Sequence, residues 1–438
     1  MNKRIFSFFS ALSFMGCCGI FAQPVQTTVY SNMVHSLRVC VAGEPLSVPV
    51  IDLNGRKQIE INFDALHADG RMAYSIVHCD AGGQPSLLNP VDFMDGFQGL
   101  TIDDFANSIA TTTSYTNYRL LLPNDEVRFK VSGNYAVTVF AENEPGKVLL
   151  KACFAVVEPL VDISAGVTGN TMTDFNNERQ QVEFSVYPKS LAASYQATEW
   201  KIFVYQNRRL DNVVTNLAPT SVLRDRWVYD RNRALIFEAG NEYRRIEFLS
   251  HTYNGIGVDH IEFHNPYYHV TLLNDISRAR RTYQYDKDQN GRFVVGCSRC
   301  EDPGTEADYD IVHFTLKSES FADGTVYIQS EIYGNVLDER SRMEYNPVAG
   351  AYEKAVLLKQ GSYNYQYLFV PNGSSQGETS LLEGNYYQSE NEYAIFVYYR
   401  PFGGRYDRLV GMSHVQSDAF SSFSASSIAP AMASSISR

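Results

Sequence analysis

Two short motifs place reactive side chains at spacings that could support catalysis or ion binding. Residues 373–377 read GSSQG and match the G-x-S-x-G pattern of a serine nucleophile, which requires a tight strand-to-helix turn. The stretch DKDQNG resembles half of a calcium loop, with Asp286, Asp288 and Asn290 at alternate positions but Cys297 where the closing Glu belongs. A Gly/Ser-rich loop follows the first motif, and Asn-Gly ends the second. We therefore expect a flexible loop and a hairpin turn.

Histidines are concentrated in the stretch HIEFHNPYYH. Strand alternation would place His260, Glu262 and His264 on one face, with His269 nearby, and imidazole and carboxylate groups are zinc ligands. An ordinary half-exposed strand explains the pattern as well. We find no catalytic pairing of carboxylates, no phosphate loop and no Ser/His or Cys/His arrangement. The sequence predicts no catalytic residue, no metal, no cofactor and no small-molecule substrate.

The cysteines predict one local pair at most. Cys297 and Cys300 form GCSRC in a loop, without the second pair of ligands that zinc needs or the helix that a redox motif opens. We expect either a local disulfide or two free thiols. The state of Cys40, Cys79 and Cys153 is left open.

The stretch YYRPFGGRYDRLVG is unusually rich in groups that stack and donate hydrogen bonds. Its candidate residues are Arg400, Phe402, Arg405, Tyr406 and Arg408. The arginines can stack on neighbouring rings and donate to carbonyl groups at the end of a sheet, while the Gly-Gly pair lets the backbone turn. We expect a structural clasp in which Arg405 fixes the terminal strand. Direct contact with a partner is the alternative.

The elements that must position these residues are strands. Alternation with a period of two runs through GNYAVTVF, TVYIQSEIYGN, YNYQYLFV and EYAIFVYY, and turn residues such as Asn290-Gly291 separate such segments. Convincing amphipathic helices are scarce. The pattern predicts an all-β chain of three tandem antiparallel β-sandwiches of the immunoglobulin-like, early-set-like kind.

Composition shifts suggest where these units begin and end. The predicted segments are a signal peptide (1–22), an N-terminal sandwich (23–158), a middle sandwich (159–273), a linker or crossing strand (274–305), a C-terminal sandwich (306–411) and a disordered Ser-rich tail (412–438).

The N-terminus and the charge narrow the possible partners. Lys3 and Arg4, an apolar run and Ala22 before Gln23 have the order of a secretory signal, and a weak lipobox at Cys17 is the alternative. The formal charge of -12, from scattered residues, argues against a nucleic-acid ligand. No later segment has the apolar length to span a bilayer. The sequence predicts an exported chain that does not span the membrane.

Several ordered motifs resemble the plug protein family of the type IX secretion system of Bacteroidota. They are YSIVHCD (74–80), DGF (95–97), FANSIATTTSYTNYRLLLP (105–123), SGNYAVTVF (132–140), HNPYYH (264–269), EADYDIVHFTL (306–316), EGNYYQSENEY (383–393) and YYRPFGGRYDRLVG (398–411). Gly82-Gly83 stands where the family often carries a tryptophan, and the CSRC loop and the tail look like local additions.

The resemblance implies a non-catalytic periplasmic protein. Such a protein would dock on the outer-membrane translocation barrel and close its periplasmic opening while no substrate is engaged. A carbohydrate-binding protein of early-set-like modules is the alternative, because an aromatic strand follows a Gln-Gly turn in the third unit. That alternative requires an exposed aromatic platform, so the burial of Tyr363, Tyr365 and Tyr367 discriminates between the two.

Overall fold

The computed structural model describes residues 26–67, 70–189, 191 and 195–417. The predicted signal peptide, the lipobox alternative at Cys17 and the predicted first mature residue, Gln23, lie outside the described residues. The Ser-rich tail from residue 418 onward also lies outside them. The described residues are all-β, with two α-helices of four residues each and two short 3-10 helices. No helix among them has the length and apolar character that a membrane span needs.

The elements fall into three groups along the chain. The first comprises β1 (Thr28–Val29), β2 (Val34–Val41), β3 (Val50–Asp52), β4 (Ile59–Leu66), β5 (Met72–Cys79), α1 (Pro90–Phe93), β6 (Met94–Asp95), β7 (Leu100–Thr101), β8 (Phe105–Asn107), β9 (Tyr115–Leu122), β10 (Arg128–Phe129), β11 (Gly133–Ala141) and β12 (Val148–Val157). The second comprises β13 (Val161–Thr168), β14 (Arg179–Pro188), β15 (Trp200–Gln206), β16 (Ser221–Val222), β17 (Trp227–Tyr229), the 3-10 helix Arg233–Leu235 and β18 (Ile236–Glu238). The third comprises β19 (Arg244–Phe248), β20 (Val258–His264), β21 (Tyr267–Leu272), β22 (Asp275–Ile276), β23 (Phe293–Val295), α2 (Pro303–Glu306), β24 (Tyr309–Lys317), β25 (Gly324–Gln329), the 3-10 helix Glu331–Tyr333, β26 (Glu344–Asn346), β27 (Ala351–Lys359), β28 (Gly361–Pro371), β29 (Glu392–Tyr399) and β30 (Arg408–Gln416).

The first sandwich packs two sheets face to face. One sheet has the order β1-β12-β11-β5-β7, with β3 added parallel to β12, and the other has the order β2-β4-β9-β8. The alternation in GNYAVTVF places Tyr135, Val137 and Val139 of β11 in a shared core with Ile61 and Phe63 of β4. In this strand the alternation therefore separates the face in the core from the other face.

The middle sandwich is completed by the last two strands of the chain. One sheet has the order β13-β14-β17-β16, with β18 paired to β14, and the other has the order β15-β29-β30. The pairing of β15 with β29 runs from Trp200↔Tyr399 to Gln206↔Tyr393. The two sheets enclose a core that includes Phe184, Trp200 and Val397.

The third sandwich packs a sheet built on β28 against a sheet of order β20-β21-β24-β27-β26. Strands β19, β23 and β25 all pair with β28, while β22 pairs with β24. Tyr363, Tyr365 and Tyr367 of β28 lie on one strand face and are buried in its core.

The strand pairing departs from the tandem order that the sequence suggests. Strands β19 to β21 fall in the predicted middle segment but pair with β28 and β24, while β29 and β30 fall in the predicted C-terminal segment but complete the middle sandwich. Strand β29 is buried along its whole length, so it needs cover on both faces, and the middle core and the first sandwich supply it. We propose that the third sandwich is inserted into the middle one, between β18 and β29. Strand β30 also runs to Gln416, beyond the predicted start of the tail.

Candidate functional site

The stretch YYRPFGGRYDRLVG forms the end of β29, an ordered loop and the start of β30. The backbone N–H groups of Arg400 and Phe402 donate to Glu199, at 2.8 Å and 2.9 Å, and Gly404 N–H donates to the Pro401 carbonyl at 2.7 Å. Gly403 takes a φ of +78°, which favours glycine because other residues clash with their own backbone there. The loop therefore has a defined conformation, which we call the terminal loop (residues 400–407).

A buried carboxylate at the end of this loop joins three parts of the chain. Asp407 is fully buried and accepts hydrogen bonds from Arg400 Nε at 2.7 Å, Lys201 Nζ at 2.9 Å and Ala81 N–H at 2.9 Å. Burial alone would raise the pKa of Asp407, but the hydrogen bonds from Ala81, Lys201 and Arg400 outweigh it and lower that pKa below its ordinary value. The charged form of Asp407 therefore stabilises the fold.

The other two arginines also form ion pairs with the first sandwich or its boundary. Arg408 donates to Glu158 at 2.7 Å, just after β12. Arg405 donates to Asp92 of α1 at 2.6 Å and to the Leu87 carbonyl at 3.2 Å, with about half of its side chain exposed. The hydrogen bond to Leu87 matches the expected contact with a carbonyl, but these guanidinium groups bind carboxylates where the sequence suggested ring stacking.

Tyr406 packs against a buried histidine of the motif YSIVHCD. Its ring lies edge-on to that of His78, with the centroids 5.4 Å apart. His78 Nε2 donates to the Ser132 carbonyl at 3.2 Å, and burial lowers the pKa of His78 to about 4, so its ring is neutral. Tyr398 O–H donates to Asn134 at 2.8 Å. Motifs that are far apart in the sequence therefore meet at one junction.

Sequence reasoning identified the segment but missed its central residues. Four of the candidate residues contact other parts of the chain: the side chains of Arg405, Tyr406 and Arg408, and the backbone of Arg400. Phe402 is fully exposed. Asp407, which lies inside the motif, was not singled out. Its position in a run of charged and aromatic residues was the only signal for it, since Lys201 and Ala81, two of its three donors, come from distant segments.

Exposed apolar side chains occur in both segments that the Arg405–Asp92 ion pair joins. Leu87 is 79% exposed, Val91 73% and Phe402 100%. Leu87 and Val91 flank the segment that Arg405 contacts, and Phe402 lies three residues before Arg405 in the terminal loop. We call Leu87, Val91 and Phe402 the terminal-loop patch.

The remaining sequence motifs have structural roles. The segment of residues 373–377 is a turn that follows β28 and leads into no helix. Asp288 accepts from the backbone N–H groups of Tyr243 and Asn290, and Asn290 adopts a φ of +51° in the turn before β23. Both carboxylate oxygens of Asp288 are therefore used by the backbone of a turn. The turn is not the expected hairpin, because β23 pairs with β28 and the residues just before the turn form no strand.

The cysteines form one bridge within the described residues. Cys297 and Cys300 are joined by a disulfide with their Cα atoms 5.7 Å apart, while Cys40, Cys79 and Cys153 are free thiols. Burial raises the pKa of Cys79 to about 11 and that of Cys153 to about 12, which keeps both thiols protonated.

The histidine-rich strand lies on an open sheet face. His260, Glu262 and His264 of β20 line a depression together with His269 of β21 and His313 of β24. Sequence reasoning missed His313, because only the pairing of β21 with β24 brings it there.

The fold defines the chain as an all-β protein of packed sandwiches whose junctions carry buried ion pairs. A family model described as the type 9 secretion system plug protein first domain matches residues 34–158, which correspond to the first sandwich from β2 to the end of β12. A crystal structure of a hypothetical protein from Parabacteroides merdae is 58% identical, with a TM-score of 0.89, and covers 90% of this chain and 99% of that chain. No curated protein matches the chain in sequence.

The chain therefore belongs to the type IX secretion system plug protein family, as the motifs of its sequence suggest.

Proposed function

We propose that this protein is a non-catalytic periplasmic plug. It docks on the outer-membrane translocation barrel of the type IX secretion system and closes the periplasmic opening of the barrel while no substrate is engaged. The observation that carries the proposal is the match of the first sandwich, from β2 to β12, to the plug-protein domain.

The terminal-loop patch is the docking surface that the structure favours. An aromatic side chain gains stability when it leaves water, yet Phe402 is fully exposed on a loop that backbone hydrogen bonds hold in place. Leu87 and Val91 add exposed apolar area on the segment that the same loop contacts through Arg405, and Arg405 supplies a half-exposed cation. Exposed apolar residues with a charged neighbour are typical of the central contacts in protein interfaces.

The experiment is an affinity pull-down from solubilised outer membranes, read by mass spectrometry. The parent protein should recover one large outer-membrane barrel protein. The variants Phe402→Ser and Leu87→Ser should recover at least about tenfold less, as expected for central contacts. Val348→Ser is the matched control, since Val348 is 97% exposed in the turn between β26 and β27. Recovery of no barrel by the parent protein would refute the function, whereas equal recovery by all variants would refute only this docking surface.

Substitution of Arg405 distinguishes the structural clasp from the docking contact. Its partner Asp92 lies at the surface, so the ion pair is screened by water and adds little to folding stability. We now expect Arg405→Ala to melt close to the parent and to weaken barrel recovery, most strongly at low salt. A clear loss of thermal stability in Arg405→Ala, with normal recovery of the barrel, would show that Arg405 acts as a structural clasp and not as a docking contact.

The burial of aromatic residues favours the plug over a carbohydrate-binding module. Tyr363, Tyr365 and Tyr367 point into the core of the third sandwich, and Trp200 and Trp227 are buried in the middle one. None of these rings offers the flat exposed platform on which a sugar stacks.

A further inference from the structure

The open face of the third sandwich brings imidazole groups from three neighbouring strands together. In the sheet order β20-β21-β24, Glu262 is opposite His269, and Thr271 lies between His260 and His313. The opposite face of the same strands carries core residues such as Val270 and Val312. Because side chains alternate between faces, the histidines are directed toward solvent, where they line a depression of about 270 Å³.

Four of these side chains form a continuous chain of contacts. His269 Nδ1 and His313 Nε2 are 2.8 Å apart, and the rings of His264 and His269 have their centroids 5.1 Å apart. His264 Nε2 is 3.2 Å from Glu262 Oε2. A hydrogen bond between two imidazoles requires an acceptor nitrogen with a free lone pair, which is the form in which histidine binds a metal.

We infer that His264, His269 and His313 bind one divalent transition-metal ion of the zinc type, with Glu262 as the fourth ligand. Three imidazoles and one carboxylate are a donor set suited to zinc. The inference rests on the contacts of these four side chains and is independent of the proposed plug function.

Binding requires the four side chains to rearrange. In the part of the chain that the structure describes, no three ligating side chains are already placed to hold an ion. Two ligands of a tetrahedral zinc ion with bonds of about 2.0–2.1 Å lie about 3.3 Å apart, so the pair of His269 and His313 must open by about 0.5 Å. The side chains of His264 and Glu262 are 63% and 60% exposed, so both can rotate toward the pair without disturbing the core.

The test is calorimetric titration of zinc chloride into metal-free protein that carries no polyhistidine tag. We expect one zinc ion per chain and, with cobalt in place of zinc, the visible absorption of a tetrahedral site. The double variants His269→Ala/His313→Ala and His269→Gln/His313→Gln should each bind zinc at least about tenfold more weakly. The glutamine pair retains hydrogen-bonding side chains, so it covers the case in which the alanine pair fails to fold.

Two control variants define the site. His67→Ala removes an exposed histidine in the turn after β4, and Thr271→Ala removes a polar residue of the depression that is not a ligand. Both should bind zinc like the parent. The inference is wrong if the parent binds no zinc at millimolar concentration, if the double variants bind as tightly as the parent, or if His67→Ala loses binding to the same extent.

Discussion

Asp407 shows how a single side chain can join distant parts of this fold. Its carboxylate lies in the terminal loop with one of its donors, Arg400, yet its other donors belong to β15 and to the segment after β5. Removing it would leave the Ala81 N–H group buried without a partner and two cations without their shared counter-charge. Leaving a buried polar or charged group without its partner costs more free energy of folding than the intact hydrogen bond contributes.

We predict that Asp407→Ala lowers the free energy of unfolding by about 2 to 4 kcal/mol, since Arg400 and Lys201 are partly exposed and recover some hydration. Urea denaturation beside the parent protein measures this. Asp95→Ala, which removes an exposed partner of Lys130, is the control and should change the free energy little. Equal effects of the two substitutions would mean that Asp407 does not hold the junction.

At the scale of elements, the start of β11 is fitted closely to its neighbours. Gly133 has a φ of +138°, and a Cβ atom there would lie 2.4 Å from His78 Nε2 and 3.1 Å from the Asp407 carbonyl oxygen. Both the backbone conformation and the available space therefore require glycine at this position.

We predict that Gly133→Ala destabilises the protein by about 2 to 4 kcal/mol, because strain at positive φ adds to overpacking. Gly146→Ala is the matched control, since its Cβ would meet no atom within 4 Å. The melting temperatures of the two variants, compared with that of the parent protein, measure the effect. Similar melting temperatures of both variants would show that the residues around position 133 can move to accommodate a Cβ atom.

The connection between β18 and β19 carries a carboxyl group with a raised pKa. Burial raises the pKa of Glu242 to about 7, although Tyr283 O–H and Glu390 N–H donate to its carboxylate. An acid whose pKa is higher in the folded state than in the unfolded chain takes up a proton on folding. Its unfavourable contribution therefore develops as pH rises from about 4.5 to about 7.

We predict that Glu242→Gln gains thermal stability relative to the parent as pH rises from 5 to 7.5, because glutamine cannot ionise. Melting temperatures across this range measure the effect, and Glu319→Gln, at an exposed position in the loop after β24, should follow the parent throughout. A constant difference between Glu242→Gln and the parent at every pH would contradict the raised pKa.

The sequence predicts the strands and their faces better than it predicts their partners. Alternation in YNYQYLFV places Tyr363 and Tyr365 on one strand face, because the period of two is a local property, but it left open whether that face is buried, which the structure shows it to be. The pairing of β15 with β29 joins segments nearly 200 residues apart, and alternation carries no information about partners. The same reason explains why Asp407 and His313 were missed, since their contacts come from distant strands.

For the whole molecule, a buried ion pair links the first and third sandwiches. Lys359 Nζ donates to Asp64 Oδ2 at 2.7 Å, and Tyr309 O–H donates to the same oxygen at 2.6 Å. Asn117 donates to the other carboxylate oxygen at 2.7 Å. The side chains of both charged residues are 1% exposed, so each depends on the other for its solvation.

We predict that Asp64→Ala lowers the free energy of unfolding by about 3 to 5 kcal/mol, because it leaves the Lys359 ammonium buried without a counter-charge. Scanning calorimetry should show a lower melting temperature and a separate early transition as the junction opens. Glu44→Ala, which breaks an exposed pair with Lys57, should leave the trace unchanged. A single unshifted transition in Asp64→Ala would mean that the two sandwiches are held together by other contacts.

The position of β29 and β30 has a consequence for how the chain acquires its structure if it is exported as proposed. A polypeptide that crosses a membrane from its N-terminus delivers β1 to β12 first, and all of these strands find their partners among themselves. Strand β15 cannot pair until β29 has crossed the membrane, and every strand of the third sandwich crosses before β29. The middle sandwich is therefore the last to close, and a chain that is cut before residue 392 presents an unpaired β15 edge to chaperones and proteases.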